Sequence, residues 1–122
     1  MGTWGSGNFE SDTALDHLGP QVAAIVDRIA AAMDGDPAEL EPDEYAGVTV
    51  PCDVELLTVL ARAGLFTGRA LDPATVAARK HRYLEVWEAT IDGLEPTPAH
   101  KAERRAVLRR TFDALAEELP RP

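Results

Sequence analysis

The side chains of this chain that could carry chemistry are three histidines, one cysteine and scattered acids, and their spacing assembles no familiar constellation. His17, His81 and His100 fall on separate predicted segments, and no H-x-x-x-H pair occurs to present two imidazoles to one metal ion. Cys52 follows Pro51 at an expected helix start. A helix N-terminus favours a thiolate there, while Asp53 and Glu55 oppose one. Gly5-Ser6-Gly7 before a helix resembles a phosphate-cradling turn, but the dinucleotide fingerprint needs a preceding strand and a third glycine. Glu10 and Asp12 would also repel a phosphate at that point. Asp12 and Asp16 stand four residues apart, and Asp34, Asp36, Glu39, Glu41, Asp43 and Glu44 form an acidic run. The run lacks the glycine at position six and the glutamate at position twelve that a calcium loop requires. The expectation is therefore no catalytic residue, no metal site and no cofactor.

Basic residues supply the one ordered pattern. Lys101, Arg105 and Arg109 recur every four residues and form, with Arg104, a candidate interaction stripe. Such a stripe could grip an anion or a nucleic acid. Opposing that use, the chain carries a net charge of −9. The charge is lopsided: residues 1–60 hold twelve acids and one base, and residues 61–122 hold nine acids and eleven bases. An acidic surface repels nucleic acid and anionic membranes, so nucleic acid is disfavoured as a partner and the stripe reads as a solvated face.

These residues need elements to position them, and the spacing predicts an all-α, single-domain bundle of about five helices spanning 1–122, with an ordered glycine-rich loop at the N-terminus. In that loop Trp4 and Phe9 are expected to be buried anchors, with glycines making the bend. A first helix is expected from Ser11 or Asp12 to Leu18, burying Ala14, Leu15 and Leu18 and stopped by Gly19. Pro20 then opens a second helix to Met33, whose stripe is Val22, Ile25, Val26, Ile29 and Met33. Residues 34–50 read as an ordered loop in which Asp36-Pro37 could open a short helix through Glu41, and Pro42 to Tyr45 could do likewise, while Gly47–Val50 look extended, Val50 being pushed that way by the following proline. A third helix is expected from Pro51 to Ala63, with Val54, Leu57, Val59, Leu60 and Ala61 inward. A fourth is expected from Pro73 to Asp92, with Trp87 as a core anchor, Gly93 as its stop and Leu94 still packed. The fifth runs from Pro98 to Leu119 with Ala102, Leu108, Phe112, Leu115 and Leu119 inward, and Arg121-Pro122 are expected to fray.

The head, with Trp4, Gly5, Gly7, Phe9, Asp12, Ala14, Leu15 and Asp16, resembles the start of the bacterial domain-of-unknown-function family 4259. The stretches VPCDVELL, RYLEVWEATIDGLEPTP and ERRAVLRRTFDAL are similar to one branch of it, and residues 34–47 match least. The resemblance implies a small helical bacterial protein and carries over no catalytic residue.

A lone cysteine excludes an intrachain disulfide and fits a reducing compartment. No apolar run is long enough to span a bilayer. The functional expectation is a non-enzymatic, cytoplasmic protein acting through a protein partner, immunity-like or adaptor-like. The alternatives are a small enzyme using His17, Cys52 or Asp16 between the N-terminal loop and the third and fourth helices, or an anion or nucleic-acid binder using the basic stripe.

Overall fold

A computed structural model describes residues 2–66 and 71–120; the Arg121-Pro122 terminus lies outside the described residues. The described chain is all-α, with helices α1 (Asp12–Asp34), α2 (Tyr45–Arg62), α3 (Pro73–Thr90) and α4 (Pro98–Glu118). Two short 3-10 turns, Pro37–Leu40 and Ile91–Leu94, complete it. Helix α2 lies between α1 and α4, α3 packs on α4, and the Pro37–Leu40 turn contacts α1, α2 and α3. Leu40 is fully buried in that turn. One core cluster joins Ile29 and Met33 of α1, Val54 and Leu57 of α2, Tyr83 and Trp87 of α3, and Leu108, Phe112 and Leu115 of α4.

Four α-helices replace the expected five because α1 runs unbroken through Gly19 and Pro20. A proline clashes with the Cβ of the residue before it when that residue is helical. Gly19 has no Cβ, so the residue expected to stop the helix is the one that lets it continue. The carbonyl of Asp16, four residues before Pro20, loses its amide partner on an exposed turn where water can replace it.

Helix α2 departs from expectation in the same direction. It starts at Tyr45, six residues before Pro51, and Gly47–Val50 are helical rather than extended. Three contacts account for this. Val50, with Val54 and Leu57, is buried in the core. Gly47 is buried against the preceding turn, where a side chain at its position would collide with the carbonyl of Glu41 and sit 2.8 Å from that of Leu40. Finally, Pro51 has no N–H for the carbonyl of Gly47, four residues earlier, and the Tyr83 hydroxyl of α3 donates to that carbonyl instead. Tyr83 is 1% exposed, so a buried donor and a buried acceptor satisfy each other. Burial pushes the Tyr83 phenol up to about 12, against a smaller opposite pull from Arg104.

The remaining helix ends obey local chemistry. Ser11, Asp72 and Thr97 cap α1, α3 and α4 by accepting from Ala14, Thr75 and His100 amides. Gly64, at φ 77°, closes α2 with Leu65 N–H to Leu60 C=O at 2.8 Å and Gly64 N–H to Ala61 C=O at 3.0 Å, the paired bonds of a Schellman motif. After α3, Gly93 lies inside the second 3-10 turn, and Glu95 takes the left-handed conformation instead. Leu94 and Ala102, expected inward, are exposed, as is Leu15.

Trp4 and Phe9 are not anchors: Trp4 is 58% exposed and Phe9 is also exposed. The loop is closed by its own backbone, through Trp4 N–H to Glu10 C=O at 3.1 Å and Asp12 N–H to Gly2 C=O at 2.6 Å. Backbone pairing thus supplies the order that aromatic burial was expected to supply. Trp87, in contrast, is 2% exposed.

The surroundings of Gly47 and Tyr83 set four expected outcomes. Tyr83→Phe should destabilise the fold by about 1–3 kcal/mol in urea titrations, the cost of orphaning a buried acceptor. Pro51→Ala restores an amide donor to the same carbonyl, so Tyr83→Phe should be milder in that background; equal losses in both backgrounds would refute the linkage. Gly47→Ala, which raises helix propensity by roughly 1 kcal/mol, should nevertheless destabilise by about 1–3 kcal/mol through the collision with the Glu41 carbonyl; a gain in stability would contradict the close approach. Because folding raises the phenol from 10.0 to about 12, its contribution is complete below pH 10 and declines as pH climbs toward 12. In a Tyr45→Phe variant, tyrosinate absorbance should therefore rise only near pH 12 or together with unfolding.

Candidate functional site

The basic stripe is built on α4 and faces α3. Arg105 holds Glu88 with two hydrogen bonds, its terminal nitrogen lying 3.0 Å from Oε2, and Lys101 Nζ sits 2.7 Å from Asp92. The Arg105 guanidinium also lies 5.5 Å from the Trp87 ring centroid, a cation–π position. The Arg105 hydrogen bonds hold the Glu88 carboxyl below its ordinary value; desolvation opposes this, and the charges of Lys101 and Arg109 add to the lowering. Arg105 thus pairs with Glu88 and Lys101 with Asp92. A third cross-pair, Lys80 to Asp113 at 2.7 Å, extends the seam. Arg104 is half-buried, and Arg109 lines a 530 Å³ hollow with Lys80, His81 and Glu88. Cations spent on the neighbouring helix are poorly placed to grip a polyanion.

The residues offered for an enzyme separate. His17 and Asp16 are exposed on α1, and the His17 ring lies 3.0 Å from the Gln21 amide one turn on. Cys52 is in the middle of α2 rather than in its first turn, because that helix begins at Tyr45. It lines a trough between α1 and α2 with Arg28 and Asp53, without His17 or Asp16. There Asp53, itself buried, accepts from Arg28 Nε at 3.2 Å and from a terminal nitrogen at 3.0 Å. That hydrogen bonding, and then the carboxylate charge, raise the Arg28 guanidinium further above its ordinary value. Among the described residues, no three His, Cys, Asp or Glu side chains converge as a metal-binding group. No helix of the described residues is long and apolar enough to cross a membrane.

What the structure adds is an apolar ridge on the solvent side of α2. Tyr45 is 85% exposed, Val48 51%, Leu56 47% and Val59 57%; Cys52, also exposed, lies among them. At 100° per residue, positions 45, 48, 52, 56 and 59 share one side of the helix, opposite Val50, Val54 and Leu57. The ridge spans about 21 Å at 1.5 Å per residue. Glu55 and Arg62 are the only charged exposed residues of α2, whereas the exposed faces of α3 and α4 are dominated by alanine and charge. A trough flanks the ridge on each side. The one toward α1, about 630 Å³, is floored by Ala31, Ala32 and Ala46. The one toward α4, about 260 Å³, is lined by Val59, Val107 and Ala114.

Sequence reasoning missed this ridge because Val48 was assigned to an extended loop and Val59 to the core face. The signal was present as a second apolar periodicity, out of phase with the first, which only a helix beginning at Tyr45 makes visible. No family model, curated protein or solved structure matches the chain.

Proposed function

We propose that this chain is a single-domain protein-binding module, adaptor-like or immunity-like, which docks a partner protein on the outer face of α2. One observation carries the reading: α2 is apolar on both faces while one face remains in solvent. A helix that is hydrophobic all round belongs in an interior, and the surface of a folded chain places large contiguous apolar patches where something covers them. The ridge is also ordered before any partner arrives, since Gly47, Pro51 and Tyr83 hold its first turns in place. A pre-formed helical surface loses little conformational entropy on binding.

The seam between α3 and α4 supports the same reading by elimination of the basic stripe, whose Lys101 and Arg105 are engaged within the fold. The exposed thiol of Cys52 on the ridge suits a reducing, cytoplasmic setting, where it would stay unoxidised. The resemblance of the Trp4–Asp16 head to family 4259 belongs to the same reading and adds no chemistry to it.

A photo-crosslinking side chain placed at Leu56, inside the native host, should give a discrete protein adduct, and the same group at Ala24 on the exposed side of α1 should give none. Leu56→Asp with Val59→Asp should abolish the adduct formed from Val48 while changing the unfolding midpoint little, because neither side chain is in the core. Absence of an adduct from every ridge position, or equal adducts from Ala24, would overturn the proposal.

A further inference from the structure

Resting on the reading of α2 as a docking surface, we infer that the segment it receives is a basic amphipathic helix, laid along α2 with its apolar edge on the Tyr45–Val59 ridge and its lysines or arginines over the acids that rim it.

Shape selects a helix. The ridge residues repeat at intervals of three and four over about four helical turns, and the troughs beside them run between α2 and its neighbours. Ridge and groove in this arrangement are what one helix offers another, side chains of the incoming helix filling the troughs while the ridge enters its groove. An amphipathic helix read through anchors one turn apart matches that spacing.

Charge selects a basic one. Glu39 lines the α1-side trough beside Tyr45, Asp43 and Glu44 immediately precede the ridge, and Glu55 lines the α4-side trough. All four are exposed. No lysine, arginine or histidine occurs between Arg28 and Arg62. Both of those flanking arginines are already engaged, Arg28 by Asp53 at 3.0 Å and Arg62 by Glu118 at 3.1 Å. Arg110, which lines the α4-side trough with Glu55, is the remaining cation on the rim. At the Tyr45 end Glu39, Asp43 and Glu44 stand beside an Arg28 already paired with Asp53, so that end is net acidic, which also orients the incoming helix with its most basic turn there.

A second copy of the chain fits less well. It would bring a second chain of net charge −9, with the same acids rimming its own ridge. Stable dimers also use roughly 20–30 residues a side, whereas the ridge offers five.

The test uses two labelled model peptides that share one leucine edge and differ in flank, one with lysine and one with glutamate, each long enough to cover the ridge. Fluorescence anisotropy should show the leucine–lysine peptide binding at least about 10-fold more tightly than the leucine–glutamate peptide at low salt. That advantage should shrink as salt is added. The triple reversal Glu39→Lys, Glu44→Lys, Glu55→Lys should invert the preference, and amide NMR shifts should map binding to Tyr45, Val48, Cys52, Leu56 and Val59. Equal binding of the two peptides at the ridge overturns the basic-partner inference and leaves the docking reading standing. Binding of neither peptide, with a crosslink still formed at Leu56, overturns the helical-partner inference alone. A protein that sediments as a dimer broken by Leu56→Asp makes the occupant a second copy and also overturns it. Loss of both peptide binding and crosslinking removes the inference and the docking reading together.

Discussion

A proline in the middle of α2 breaks that helix's own ladder at one rung, and a tyrosine from α3 repairs it. Everything distinctive about the molecule follows from this exchange. The carbonyl of Gly47, left without an amide by Pro51, is buried and accepts from the Tyr83 hydroxyl. In an interior of low effective dielectric, an unpaired carbonyl is costly and a paired one specifies a single arrangement. With the repair in place, α2 extends two turns before its proline, and those turns carry Tyr45 and Val48. The bond spans 36 residues of sequence and joins two helices that otherwise meet mainly through α4 and the Pro37–Leu40 turn. The ring that supplies the hydroxyl also packs against Phe112, with centroids 5.6 Å apart, so the same side chain ties the start of α2 to the middle of α4.

The parts of the fold legible in the sequence are those governed by neighbours along the chain. The all-α class, the Ser11 start of α1 and the proline-led starts of α3 and α4 all rest on interactions spanning a few residues. The errors share one cause: a local stop signal cancelled by something local rules do not weigh. Gly19-Pro20 reads as stop and start, yet the missing Cβ of the glycine removes the clash that makes the pair a break. Val50-Pro51 reads as extended, yet core burial of Val50 and the distant Tyr83 hydroxyl hold it helical. At the N-terminus, Trp4 and Phe9 were expected to be buried because they are large. The loop's own backbone bonds order it without them.

The candidate site was illegible for a related reason. An apolar residue in sequence reads by default as core, and α2 has enough of them for two faces. Until its start is placed at Tyr45, the outer set looks like noise around the inner set. The basic stripe shows the converse. Lys101, Arg105 and Arg109 are visible as a pattern, but Glu88 and Asp92, the partners of Arg105 and Lys101, lie on another helix and turn. A stripe of like charge repels itself, and here Glu88 and Asp92 each take one of its cations at the seam. The pattern was real; it faces α3 more than it faces solvent.

The distance along the chain between Gly47 and Tyr83 has a consequence for how the molecule is made. A ribosome delivers residues in order, and α2 is complete well before α3. During that interval the carbonyl of Gly47 has neither the amide that Pro51 lacks nor the hydroxyl that Tyr83 will bring. Water must satisfy it, and the turns carrying Tyr45 and Val48 lack the bond that fixes them in the finished chain. The bond that fixes the first turns of the apolar ridge therefore cannot form until α3 is present. A nascent chain that has not yet reached Tyr83 thus carries Tyr45 and Val48 on turns whose buried bond is still missing.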